Sequence, residues 1–298
     1  MELDEDALNA EIQVFMYIDG TDDYANFSIG LLKRLALFPD MLHFTAVVPH
    51  KYINKGITTY PNFSETIYVP VDEKYRRASS THALALNQAI NQNEDIVYII
   101  VVIDADVAIL YNGWDQVVRQ QLAKNCCFGF NRHNTNFPSV FFFSFKRPFL
   151  GIRKIDFLPD VDRKDGEETT KKYIITNEKE AKYRKQTVGS EVKCDTGYML
   201  PMQFRGCGFG LECVPNTSKF AKMFHFTTND PYCKANPWHM CEWHYNNVLF
   251  GTHKQACRNH PFYDKYGKIW RNKIASYVDA NYSMYSKEFI QYIKEMCL

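Results

Sequence analysis

A chain of 298 residues, 46% of them hydrophobic, can bury a substantial core, and one domain is favoured over two small ones. Its 35 Lys and Arg stand against 34 Asp and Glu, which excludes a global basic field for non-specific nucleic-acid binding and leaves only a local basic face open. Nine cysteines, an odd number with a vicinal pair at Cys126 and Cys127, do not suit a disulfide framework in a chain this size and read as mostly reduced thiols.

The N-terminal MELDEDALNA is acidic where a secretory signal would be basic and then apolar, and no apolar run approaches the ~20 residues of a membrane span. The expectation is a soluble, cytoplasmic protein. Residues 12–18, IQVFMYI, read as a buried strand, and DGTDDYANF after it carries a helix N-cap signal ahead of the apolar-periodic SIGLLKRLALF. HFTAVVP (43–49) is a second strand and ETIYVPV (65–71) a third. SSTHALALNQAINQ (79–92) places Ala83, Leu86 and Ile90 on one helical face, with Ser79, Ser80 or Thr81 able to cap the first turn. DIVYIIVVIDADV (95–107) is apolar on both faces, as a central strand covered on both sides must be. Strand, helix, strand at this spacing implies right-handed crossovers and a mostly parallel α/β sheet with helices on both faces. Beyond residue 125 the pattern changes. CCFGFNRHNTNFPSVFFFSF (126–145) suggests strands around a Pro-containing loop, and the charged stretch 160–186 reads as a solvated, mobile loop or helix, with a lid as one option.

An unpaired buried charge is expensive, so a strand that finishes on Asp104 and Asp106 asks for something cationic. In open α/β sheets ligands bind beyond the C-terminal ends of the strands, and Asp19 closes the first strand in the same way. Residues i and i+2 of a strand share a face roughly 6–7 Å apart. Two such carboxylates do not easily reach one Mg²⁺ at bond lengths of about 2.1 Å, and Mg²⁺ keeps waters and takes phosphate oxygens. The roles therefore divide: Asp106 binds the metal directly, and Asp104 holds a ribose hydroxyl or a metal-bound water.

The capped helix with HALALNQAI, followed by the apolar strand and VVIDADV, resembles the approach to the Asp-x-Asp motif of GT-A glycosyltransferases. The resemblance is to family-2-like enzymes, particularly the compact ones of large DNA viruses and phages. CDTGYML (194–200) and EWHYNNVLFGTH (242–253) add to it less firmly. It implies a GT-A, Rossmann-like domain over 1–298, with a nucleotide-sugar-binding half at 1–125 and an irregular acceptor-binding half at 126–298. It also implies transfer of a sugar from a nucleoside diphosphate donor, UDP-sugar favoured, to a hydroxyl, with Mn²⁺ or Mg²⁺ stabilising the charge of the leaving diphosphate. The acceptor would be a glycan, a lipid-linked sugar or, less favoured at this net charge, a modified DNA base.

By that resemblance Asp19, with Asp22 and Asp23 behind it, faces the base and ribose; capping of the next helix is the competing role for Asp22 and Asp23. Arg76 or Arg77 would assist the diphosphate, and Ser80, His82 and Asn87 approach the donor, with a purely structural role open for His82. An inverting transferase needs a base for the acceptor hydroxyl. Asp195, two residues before a glycine that allows close approach, comes first and Glu212 second. Of His225, His239, His244 and His253, the resemblance prefers His244 to complete the metal shell, with His253 in reserve. Cys233, His239, Cys241 and His244 form a rival structural zinc set, though without a C-x₂-C pair. Trp238, Trp243 and Tyr245 are candidates for a sugar-stacking wall, against core packing. Two other functions compete. A sugar-nucleotide pyrophosphorylase would want a Gly-rich phosphate loop, and YIDGTDDYANF has one Gly. A nucleotide- or glycan-binding protein on a decayed transferase scaffold is the non-enzymatic alternative, and intact Asp104 and Asp106 argue against decay.

Overall fold

The computed structural model describes residues 3–19, 22–50, 62–71, 78–92, 97–131, 138–152, 154–164, 167–184, 186–205, 241–246, 248–254 and 263–297. In chain order α1 (Glu5–Leu8), β1 (Ile12–Tyr17), α2 (Asp22–Leu35), β2 (Leu42–Pro49) and β3 (Glu65–Val69) lead to α3 (Ala78–Gln92) and β4 (Ile99–Asp104). Next come β5 (Val107–Ile109), α4 (Trp114–Leu122), β6 (Cys127–Asn131), β7 (Pro138–Lys146), α5 (Pro148–Ile152), β8 (Val161–Lys164) and β9 (Glu167–Thr170). The remainder is β10 (Lys172–Ile174), α6 (Glu178–Arg184), β11 (Glu191–Lys193), α7 (Leu200–Arg205), β12 (Cys241–Tyr245), β13 (Val248–His253), α8 (Tyr263–Ala280) and α9 (Lys287–Cys297).

Six strands form one sheet in the order β3-β2-β1-β4-β7-β6. β1 pairs in parallel with β2 and β4, and β2 with β3; β7 pairs antiparallel with β4 and β6, so β7 alone runs against the others. The protein is a mixed α/β fold with a mostly parallel central sheet. Alternation along β4 explains why its sequence is apolar without a break. Ile99, Val101 and Ile103 enter one core with α2, α4, α8 and α9, while Ile100 and Val102 enter a second core with α3, Phe149 and Phe204. Ala83, Leu86 and Ile90 of α3 are buried in that second core, as their helical spacing predicts. Helices therefore cover both faces.

The topology fixes a functional position. The chain steps outward from β1 to β2 to β3, then returns to lay β4 on the other side of β1. Adjacent parallel strands whose connections leave in opposite directions open a crevice at their C-terminal ends. Asp19 follows β1 and Asp104 ends β4, at the two sides of that crevice.

Three sequence expectations need correction. The central strand does not run through residue 107: it ends at Asp104, Ala105 and Asp106 form a turn, and β5 joins a second sheet of order β12-β13-β5. The helix expected to follow DGTDDYANF starts within it, at Asp22. The charged stretch 160–186, expected as a solvated loop or helix, does hold the helix α6, but its described residues also form an antiparallel β8–β9 pair and β10. Ile175, Ala181 and Val192 supply a small buried cluster there, and Arg184 donates to Glu180 Oε1 at 2.7 Å and to the Tyr198 carbonyl at 2.9 Å. Among the described residues no helix is long and apolar enough to cross a membrane.

Candidate metal centre

The turn at Ala105–Asp106 and the ladder of the second sheet build the site together. β13 pairs antiparallel with β5 in a register that sets His253 opposite Val107, and the Lys254 N–H donates to the Asp106 carbonyl at 3.0 Å. Residues far apart in sequence are thus locked side by side by backbone bonds. Gly251 makes the register possible, because a Cβ there would lie 2.8 Å from the Ala108 carbonyl oxygen.

His253 Nε2 lies 3.0 Å from Asp106 Oδ1 and 3.6 Å from Asp104 Oδ2. The Asp104 and Asp106 side chains are 25% and 21% exposed and that of His253 only 6%, so the two aspartates are half-buried while the imidazole is backed by protein. The backing is aromatic: the His253 ring lies 5.3 Å from Phe141 and 6.2 Å from Trp243. Burial pushes the Asp106 carboxyl up, but the charge and hydrogen bond of His253, with the charge of Lys254, outweigh it and hold the group below its ordinary value.

Asp104, Asp106 and His253 each offer one donor atom, and these atoms all lie within 4.8 Å of one another. Ligands on opposite sides of an ion bound at ~2.1 Å stand about 4.2 Å apart, so the group is nearly closed around a divalent cation. Two carboxylates suit Mg²⁺ or Mn²⁺, and the imidazole shifts the preference toward Mn²⁺. The donor set therefore fits. An ionised carboxylate can only accept, so His253 Nε2 carries the proton it shares with Asp106, and a cation would compete with that proton. The turn also removes the reason for dividing the roles of the two aspartates, since it brings together oxygens that a continuous strand would hold apart.

The other sequence candidates scatter. His244 is in β12 opposite Leu249, across a register shift from Trp243, and is not in the group of three. The reserve, His253, is the histidine grouped with both aspartates. His82 approaches Asp104 Oδ1 at 3.6 Å, and Ser80 is buried in the first turn of α3. Asn87 has its amide engaged with the segment after α5: Nδ2 donates to Asp156 Oδ1 at 2.6 Å and Oδ1 accepts from Phe157 N at 2.8 Å. Asp195 accepts from Thr196 N at 3.0 Å and lies 3.4 Å from Lys193 Nζ, in a turn where Gly197 takes φ +76°. Asp22 begins α2. Arg76, Arg77, Glu212, His225, His239, Cys233 and Trp238 lie outside the described residues, as do the side chains of Asp22, Asp23 and Cys241. The zinc alternative falls mostly among these. Trp243 is 1% exposed and stacked on Phe141 at 4.4 Å, which makes it core and not a sugar wall. Tyr245 packs on Tyr111 and accepts from Gln121 Nε2 at 2.9 Å.

No family model matches the sequence, and the search of curated proteins gives no match. Solved structures overlap part of the chain. A mannosyltransferase from Pyrobaculum calidifontis, solved with GDP-Man and Mn²⁺, aligns at 16% identity and a TM-score of 0.37 over 50% of this chain and 47% of its own. The galactosyltransferase LgtC, solved with donor and acceptor sugar analogues, aligns at 12% and 0.30 over 45% and 57%. A 4-diphosphocytidyl-2C-methyl-D-erythritol synthase from Anaerococcus prevotii aligns at 8% and 0.32 over 49% and 75%. The chain thus spans about half the length of the first two.

Proposed function

We propose that this chain is a metal-dependent glycosyltransferase of the GT-A type, moving a hexosyl or pentosyl group from a nucleoside diphosphate sugar to a hydroxyl acceptor. One observation carries the reading: a near-closed group of two carboxylates and an imidazole at the switch point of a mostly parallel sheet. The two carboxylates are those of the Asp-x-Asp sequence that follows the central strand, which agrees with the sequence resemblance. Asp106, Asp104 and His253 would hold Mn²⁺ or Mg²⁺, with His253 taking the role first given to His244. Bound there, the cation supplies positive charge where the departing diphosphate becomes more negative.

The remaining roles belong to the chain's own groups. Asp19, at the end of β1, receives the ribose or base of a donor for which UDP is the favoured nucleotide, with Asp22 behind it. Arg76 and Ser80, the latter in the first turn of α3, are assigned to the diphosphate. Asp195 accepts the proton of the acceptor hydroxyl, with Glu212 as the substitute, and the acceptor is a glycan or, as a lesser option, a modified nucleobase. Buried cysteines outside any disulfide, at Cys126, Cys127, Cys194 and Cys297, suit a reducing, cytoplasmic compartment.

The test is thermal. A ligand selective for the folded state stabilises by mass action, about 2.7 kcal/mol at a hundred times Kd. UDP should raise the melting temperature much more with Mn²⁺ than without it, and Asp106→Ala should remove the difference. Equal stabilisation by UDP with and without Mn²⁺ in the unaltered protein overturns the reading.

A further inference from the structure

His82 is outside the group of three, yet it faces the same carboxylate. Its Nε2 lies 3.6 Å from Asp104 Oδ1, while Asp104 Oδ2 lies 3.6 Å from His253 Nε2. The two oxygens of one side chain therefore look toward two imidazoles. Asp104 Oδ1 and His82 Nε2 are sealed from solvent, and neither has a hydrogen-bond partner among the described residues. Leaving complementary polar atoms buried and unsatisfied is costly, and at 3.6 Å they are just beyond bonding distance of each other. A sugar hydroxyl or phosphate does not reach atoms sealed in this way, so His82 Nε2 is left to face Asp104 Oδ1. The ring is also held in place. Tyr17 stacks on it with centroids 4.6 Å apart and planes at 28°, and the backbone of Tyr17 is in register with Asp104 across β1 and β4.

We infer that His82 is a positioning residue of the cation site: its Nε2–H donates to Asp104 Oδ1 and keeps Oδ2 turned toward Asp106 and His253. The inference rests on reading that group as a cation site. A carboxylate free to rotate presents either oxygen, or both, to an incoming ion. A donor fixed against one oxygen removes that freedom before the ion arrives, so less ordering is needed on binding. The bond also fixes the tautomer, with the proton on Nε2. Tyr17 acts one step further out, by holding the ring that holds the carboxylate.

The experiment uses Mn²⁺ alone as the probe, with free Mn²⁺ followed by its paramagnetic resonance signal and metal-free melting temperatures recorded in parallel. His82→Phe keeps a ring to stack on Tyr17 and deletes the donor. It should bind Mn²⁺ about 10–100-fold more weakly, the usual loss when a partner of a metal ligand is removed, while melting near the unaltered protein. His82→Gln restores an N–H donor and should recover most of that affinity. Should the larger ring prevent folding, His82→Leu carries the donor-loss arm. Unchanged Mn²⁺ affinity in His82→Phe or His82→Leu, or no recovery in His82→Gln, overturns the inference. Asp106→Ala separates the two levels. If it abolishes Mn²⁺ binding while the His82 variants do not weaken it, the cation site survives and only the positioning role falls. If the unaltered protein takes up no Mn²⁺, or Asp106→Ala binds as well as it does, the cation site falls and the positioning role with it.

Discussion

Asp4 caps α1 by accepting from Ala7 N at 3.1 Å, and its other oxygen accepts from Lys146 Nζ at 2.6 Å and from the Tyr98 hydroxyl at 3.0 Å. One carboxylate thereby ties the N-terminal helix to β7 and to the entry of β4. Burial pushes its pKa up, but the hydrogen bonds from Lys146, Tyr98 and Ala7 and the charge of Lys146 outweigh it and hold Asp4 below its ordinary value. Tyr98, partly buried and donating to that charge, is pushed up to about 12. A carboxyl whose folded pKa is depressed contributes stability that is present above its unfolded value, about 3.9, and is lost as pH falls through the folded value. Asp4→Asn should therefore be less stable than the unaltered protein at neutral pH, and the gap should narrow below about pH 4. Urea denaturation across the acid range measures it, and a gap that does not change with pH contradicts the assignment. Nothing at Asp4 announces this in the sequence beyond a possible helix cap, because Lys146 and Tyr98 reach it only through the sheet. His253 was obscured for the same reason: its partner is set by strand register, whereas Asp104 and Asp106 declared themselves by charge at the end of an apolar run.

Among the elements, β13 tolerates little change at Gly251. A Cβ on Gly251 would meet the Ala108 carbonyl oxygen at 2.8 Å and Ile109 Cδ1 at 3.0 Å, and the first of these is backbone that cannot swing aside. Gly251→Ala must push β13 away from β5, two residues before His253. It should destabilise the protein by about 1–3 kcal/mol, the usual cost of overpacking. It should also weaken the Mn²⁺-dependent part of UDP stabilisation, because His253 retreats from Asp106. A melting temperature and Mn²⁺ response equal to those of the unaltered protein would show that the strands can separate without cost. Pattern reading found the elements of the central sheet because hydrophobic alternation and helical spacing are local properties. It missed β8 and β9, whose eight residues are mostly charged or polar. The available clue was Asp165-Gly166 between Lys164 and Glu167, which pair with each other, since Asp-Gly is a signature of two-residue hairpin connections.

At the scale of the whole molecule the site joins two sheets. Asp104 belongs to the last position of β4 in the central sheet, Asp106 to the turn that leaves it, and His253 to the middle strand of a second sheet that shares no ladder with the first among the described residues. That second sheet is held down from outside: Trp270 Nε1 of α8 donates to Thr252 Oγ1 at 3.2 Å, and Tyr24 of α2 packs against Gly267. The parallel sheet and its switch point were legible because strand, helix, strand spacing dictates them. The second sheet was not, because β5 is only three residues long and its partner lies near the other end of the chain. A ligand that engages all three donors must couple the opening of both sheets, since local opening of either one breaks the group. Mn²⁺ with UDP should therefore slow amide hydrogen exchange in residues 248–254 as well as in 99–104, while the β8–β9 pair, which belongs to neither sheet, exchanges as before. Exchange read by mass spectrometry with Mn²⁺ alone, UDP alone and both together resolves the contributions. Slowing confined to 99–104 would remove His253 from the binding group and leave β13 as a strand that merely passes beside it.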